Sequence, residues 1–352
     1  MKNILILGMG KVGTLIGVLL QKHFSVTGLD IKKPHYNYPL DFALIEGDVS
    51  DEAFMRKNMK NFDAVVSALP FFLNKKIAEL ALELNIHYFD LTEDVSTTQY
   101  IREISRQAQA VFAPQCGLAP GFIGIVGASL CQPFSKIRDI ELRVGALPRH
   151  PNGLLAYSFT WSPEGVINEY INDAEAIHNG VRKQVTSLDG LEYINIEGKE
   201  FEAFTTSGGL GTMCETYEGK VDTLNYKTIR YPGHCKLMRF LIQELILKNE
   251  KETLTRILEN AKPPVKEDVV YVYAVVEGWQ DEKLLRSEFY RAYLPKEIAG
   301  RTWRAISWTT AASVASVVEM VANGQLPQKG FIKQEEIDLD GFRRTENGRL
   351  FE

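Results

Sequence analysis

Short apolar runs separated by helical stripes set the rhythm of the first third of the chain. Residues 4–7 form an apolar run that predicts a buried strand, and apolar residues from Val12 to Leu20 recur at helical spacing. Between them Gly8, Gly10 and Gly13 hold a G-x-G-x-x-G spacing. Gly8 permits a tight turn, Gly10 lets a pyrophosphate approach the backbone, and Gly13 lets helix and strand pack closely. The helix start, with Lys11 and Val12 in its first turn, offers unpaired N–H groups and a partial positive charge to phosphates. A second apolar run, residues 26–29, ends at Asp30, about 20 residues beyond the first glycine. A dinucleotide fold places there the carboxylate that binds the adenosine ribose.

The alternation continues with strands predicted at 42–45, 63–68, 86–91 and 110–113, and helices starting near 51 and spanning 73–84 and 96–109. A turn-rich link containing Pro34, Asn37 and Pro39 precedes the third strand. Six strands with intervening helices predict an α/β fold over 1–122, a Rossmann-type doubly wound parallel sheet whose ligands bind at the carboxyl ends of the strands. The residues at those ends are the cofactor candidates. Asp48, followed by Val49, either faces the adenine or caps the helix near Asp51. Ser67, Ala68, Leu69 and Pro70 either pass beside the nicotinamide ribose or form a plain proline-stiffened turn. Cys116 either lines the nicotinamide pocket or is a small buried residue. Asp90, Thr92, Glu93 and Asp94 form a polar group after the fifth strand.

From about residue 138 the period changes. Strands predicted at 140–144, 155–160, 193–196, 226–230, 269–276 and 285–293, with helices near 164–177 and 234–247, give a second α+β domain with a mixed sheet over 123–300. A helix over 303–323, small residues on one face, opens a closing segment (301–352) expected to return to the first domain. Only the last ten residues or so read as a tail. In the second domain Arg230 ends a strand just before the Pro232-Gly233 turn. It either holds a carboxylate bidentately or makes an edge-strand surface ion pair. His234 is either an acid/base or a helix start. Trp161 and Glu164 stand at a strand-to-helix junction, where Glu164 either complements the helix dipole or meets a substrate ammonium.

Composition narrows the classes. At 352 residues two domains are the default. A net charge of −5 without an extended basic run excludes nucleic acid and anionic membrane as expected partners. No apolar run approaches the roughly 20 residues of a membrane helix, and the opening MKNILILGMG leaves no room for a signal peptide. The 4 cysteines are scattered without a C-x-x-C pair, so reduced cytoplasmic thiols are expected, with neither disulfide nor metal.

Together, ILILGMGKVG, VSALPFFLN, YFDLTED, CGLAPGF, TWSPEGVINEY, EAFTTSGGLGT, TLNYKTIRYPGH and GQLPQKGFIKQEEI resemble the saccharopine dehydrogenase-like family, which includes lysine 6-dehydrogenases. The resemblance implies an NAD(P)-dependent oxidoreductase acting on a C–N bond of lysine or of a lysine-derived secondary amine, built as a homodimer. EGVINEY and GGLGT look like the lysine 6-dehydrogenase branch. Glu164 stands where saccharopine-forming reductases carry an arginine, and Ala119 where they carry an acid, which weakens the case for a glutamate moiety. By resemblance Arg230 holds the α-carboxylate, Trp161 and Glu164 belong to the substrate site, and the Asp90–Asp94 group lies near the reacting amine. Hydride leaves the ε-carbon, and a carboxylate or His234 assists water in attacking the imine. Saccharopine dehydrogenase or a carboxynorspermidine-type reductive amination is the alternative reaction, and a non-catalytic dinucleotide sensor the alternative class. Asp30 favours NAD over NADP by about 2–3 kcal/mol, against which Lys32 and Lys33 offer cations for a 2′-phosphate.

Overall fold

A computed structural model describes residues 1–33, 40–262, 265 and 267–352. Pro34, Asn37 and Pro39 of the expected link lie outside the described residues. The chain divides into two compact units, Met1–Phe122 with Ser307–Glu352, and Ile123–Ile306.

The first unit follows the predicted alternation: β1 (Asn3–Leu7), α1 (Lys11–Leu20), β2 (Ser25–Asp30), β3 (Ala43–Glu46), α2 (Glu52–Met59), β4 (Ala64–Ser67), α3 (Phe71–Leu84), β5 (His87–Asp90), α4 (Val95–Ser105) and β6 (Val111–Ala113). The strands are parallel, in the order β6-β5-β4-β1-β2-β3, so the chain reverses direction across the sheet at β1 and β4. A seventh strand, Gly330–Phe331, joins β6 from the end of the chain. It is two residues long, too short to leave a period in the sequence. Leu5, Leu7, Leu29, Val65, Tyr88 and Phe112 are buried on the sheet against Ile77 and Ala81 of α3 and Met55 of α2. This sheet is the doubly wound fold expected from the pattern.

The second unit runs α5 (Phe122–Cys131), β7 (Lys136–Pro148), α6 (Pro163–Ile171), β8 (Ala174–His178), β9 (Val181–Val185), β10 (Glu192–Ile196), β11 (Lys199–Thr205), α7 (Met213–Tyr217), β12 (Thr223–Arg230), α8 (His234–Arg239), α9 (Lys251–Ala261), β13 (Asp268–Gln280) and β14 (Lys283–Tyr293). Its sheet has the order β10-β11-β12-β7-β13-β14. β12 and β7 pair in parallel and the others antiparallel, so the sheet is mixed as expected. Two local readings are corrected and one helix is new. Residues 155–160 form no strand, because Tyr157 and Phe159 bury their rings in the core while the backbone turns at Ala156, φ 47°. The helix expected to reach 177 ends at Ile171, and β8 and β9 follow as a hairpin turned by Asn179 and Gly180, both at positive φ. Helix α9 was not read from the sequence. It buries only Leu254 and Leu258, and apart from the exposed Ile257 its remaining residues are mostly polar.

Helix α10 (Ala305–Ala322) is long and apolar enough to cross a membrane by length and composition, contrary to expectation. Its apolar window is 89% buried inside the protein, and Ala311, Ala312, Ala315 and Ser316 are inaccessible, so the composition is that of a core helix. The last ten residues are no loose tail. Phe351 is fully buried and stacks on Phe122 at 4.1 Å between ring centroids, and Glu319 accepts a hydrogen bond from the Glu346 N–H at 2.8 Å.

Candidate functional site

The glycine-rich turn has little steric freedom except where a ligand would sit. A Cβ on Gly13 would stand 1.9 Å from the Gly8 carbonyl oxygen. A Cβ on Gly8, whose φ is +84°, would stand 2.8 Å from the Ala68 carbonyl. A Cβ on Gly10 would meet nothing within 4 Å, so the space over the start of α1 is open. Gly10 caps α1 without a side-chain bond, at the end of the helix whose partial positive charge favours an anion. Asp30, at the end of β2, accepts from the Met9 N–H with Oδ2 at 2.6 Å, which ties the turn to the second strand and leaves Oδ1 for a ribose hydroxyl. These residues fit a dinucleotide.

The neighbouring strand ends are less uniform. Ala68 donates its N–H to Leu7 and its turn lies against the glycines, with Leu69 packed on the core. Pro70 occupies the cap position of α3. Val49 packs on the core, and Lys11 and Val12 open α1. Asp48 does not cap α2. That role belongs to Asp51, which accepts from Phe54 N–H, whereas Asp48 accepts from the N–H and hydroxyl of Ser50, which hold its carboxyl below the usual range. Asp94 likewise caps α4, accepting from Thr97 N–H and the Ser96 hydroxyl.

Asp90 is fully buried and accepts from the Tyr88 hydroxyl and from the N–H groups of Thr92 and Gln115. Burial pushes its carboxyl up to about 6 despite those three bonds. It fixes the loop leading to Cys116. Cys116 is itself buried, its thiol pushed well above the ordinary range by burial and bonded to the Ala113 carbonyl and to Gln334. An unreactive packing residue is the better description. Burial pushes the neighbouring Glu93 carboxyl up to about 7. The sequence placed Glu93 in this polar group but gave no reason to prefer it over Asp90 or Asp94.

In the second unit Arg230 and His234 come together in a buried chain of hydrogen bonds. Arg230 is 3% exposed. Its Nε donates to the Tyr170 hydroxyl at 2.7 Å, and Nη1 donates to the Thr228 hydroxyl and the Ile229 carbonyl. The rings of Tyr157 and Tyr170 lie 4.8 and 5.7 Å from the guanidinium carbon. Among the described residues the guanidinium makes no ion pair with a carboxylate, although the charge of Glu169 acts on it; the hydroxyls of Tyr157, Thr160 and Thr206 are buried without hydrogen-bond partners. The edge-strand ion pair is therefore not what holds Arg230. His234 is bonded at both ring nitrogens, to Leu155 O at 3.0 Å and to the Tyr170 hydroxyl at 3.1 Å. Burial, then the Arg230 charge, lowers it to about 3. It is neutral and has no free position for acid–base work, and it begins α8 as the helix reading expected. Trp161 packs on the core cluster at the start of α6 without a preceding strand. Glu164 is exposed and accepts from Ser162, the cap of that helix.

The fold and the glycine-rich site define a dinucleotide-binding α/β protein with a second, mixed-sheet unit. Residues 4–114 match the saccharopine dehydrogenase NADP binding domain, and residues 117–344 match the saccharopine dehydrogenase C-terminal domain. The chain belongs to the saccharopine dehydrogenase family. It is 24% identical over 320 residues to saccharopine dehydrogenase [NADP(+), L-glutamate-forming] of Schizosaccharomyces pombe, covering 80% of this chain and 69% of that protein. It is 25% identical over 215 residues to the alpha-aminoadipic semialdehyde synthase of Arabidopsis thaliana, covering 57% of this chain and only 20% of that protein. The apo structure of saccharopine dehydrogenase (L-Glu forming) from Saccharomyces cerevisiae superposes with a TM-score of 0.78 at 16% identity, over 98% of this chain and 96% of that one.

Proposed function

We propose that the chain is an NAD(P)-dependent dehydrogenase acting on a C–N bond of an amino acid, and that its substrate is L-lysine, oxidised at the ε-carbon with NAD. The observation that carries this reading is Arg230. Buried guanidinium charge is costly; the charge of Glu169 already acts on Arg230, and an arriving α-carboxylate adds a direct partner. The bound nicotinamide would supply the hydride acceptor. Gly8, Gly10, Gly13 and Asp30 hold the dinucleotide, Arg230 binds the carboxylate, and Glu93 takes the proton released as the amine is oxidised. NAD is favoured by the free oxygen of Asp30, although the family's domain carries NADP in its name.

A second reading, oxidation of saccharopine, is favoured by the names of the relatives. Saccharopine carries two more carboxylates than lysine, and the exposed Glu164 at the start of α6 opposes extra negative charge. The test is dihydronicotinamide production with L-lysine, L-saccharopine and no amine, each with NAD and NADP, in wild type and Arg230→Ala. Turnover with lysine that falls on the order of 100-fold in kcat/KM in the variant is expected, since a charge-assisted pair contributes roughly 2–4 kcal/mol. Turnover with saccharopine alone gives the second reading. Turnover undiminished in Arg230→Ala removes the carboxylate role.

A further inference from the structure

We propose that Glu46 is a second specificity-determining carboxylate at the adenosine end of the dinucleotide site, paired with Asp30 so that a ribose 2′-hydroxyl is accepted and a 2′-phosphate is rejected. This rests on the reading that Asp30 takes the ribose. β2 and β3 are parallel neighbours in which Asp30 is the register partner of Glu46. Register partners on adjacent strands present their side chains to the same face, with backbones about 5 Å apart. The pairing continues past both residues, since the Gly47 N–H donates to the Asp30 carbonyl at 2.9 Å. Gly47 in turn is covered by α2, where a Cβ would stand 2.2 Å from the Phe54 ring. The backbone beneath Glu46 is therefore fixed from both sides.

The carboxylates are oriented as well as adjacent. Glu46 Oε2 accepts from the Lys33 N–H at 3.3 Å, which sets the group over the turn that leaves Asp30. Asp30 uses Oδ2 for Met9. Each acid therefore keeps one oxygen outside these bonds. Two carboxylates a few ångströms from one ribose edge suit a neutral hydroxyl. They repel a phosphate of nearly two negative charges, and through water at about 6 Å each is worth on the order of tenfold in affinity. Lys32 and Lys33 sit on the same turn, but both are exposed, and the bond that orders Lys33 is made by its backbone.

Fluorescence titration of the full-length protein with NADH and NADPH tests this without turnover. Glu46→Gln is expected to shift the NADPH-to-NADH affinity ratio by about 5–10-fold toward NADPH at low salt. The gain should shrink toward none at about 0.5 M salt, where screening acts over only a few ångströms. A packing role for Glu46 would move both nucleotides together and would not respond to salt in this way. An unchanged NADH-to-NADPH ratio, or a parallel shift of both, overturns the proposal. Asp30→Asn separates the underlying reading: NADH affinity that does not fall in that variant removes the ribose role of Asp30, whatever Glu46→Gln does.

Discussion

A carboxyl group pushed up to about 7 changes its protonation across the range in which a dehydrogenase is ordinarily assayed, and burial makes Glu93 such a group. Amine oxidation releases a proton, so the acceptor must be ionised. In the proposed direction kcat/KM is therefore expected to rise with pH through about 7 and level off above it. Glu93→Gln should lose that rising limb and lower kcat/KM by about 10²–10⁴-fold. If the limb survives in Glu93→Gln, the group at about 6, Asp90, carries it instead. His234, at about 3 and bonded on both sides, produces no limb in this range. The distinction between Glu93, Asp90 and Asp94 lay beyond the sequence, where all three are acids after one strand. Their roles separate only when burial and backbone N–H groups are assigned in three dimensions.

At the scale of elements, the glycine-rich turn was legible because its requirements are local. The same spacing that suggested close packing places Gly13 where a Cβ would stand 1.9 Å from a carbonyl oxygen. Gly13→Ala must therefore displace α1 from β1, and loss of NADH binding is expected in a titration, accompanied by a lower melting temperature. Gly10→Ala has open space, so any loss of affinity there should come without loss of stability. Elements held by tertiary contacts were harder to read. Residues 155–160 have a strand's composition but bury the rings of Tyr157, which lies over Arg230, and Phe159 in the core. The Asn179-Gly180 pair was a local hairpin signal that apolar periodicity overrode. By contrast, the turn between β13 and β14 uses Asp281 and Glu282 at positive φ, and no residue preference announces it.

Across the whole chain, the dinucleotide unit is assembled from two separated stretches, Met1–Phe122 and Ser307–Glu352, so its completion depends on residues that the sequence order places last. The strand Gly330–Phe331 extends the sheet from β6, Gln334 bonds the loop carrying Cys116, and Phe351 closes an aromatic cluster with Phe122, Phe342 and Trp308. The small-residue face of the closing helix suggested a return to the first domain. It gave no sign that the final residues are core, because the short apolar pair Leu350-Phe351 has no periodicity to read. If Phe351 belongs to the core, Phe351→Ala leaves a large cavity against Phe122 and should cost about 3–5 kcal/mol in denaturant unfolding. Phe240→Ala, at a 45% exposed site, is the matched control and should stay within about 0.5 kcal/mol. Equal, small losses in the two variants would mean that the aromatic cluster does not hold the closing stretch, and that the dinucleotide unit is stable without it.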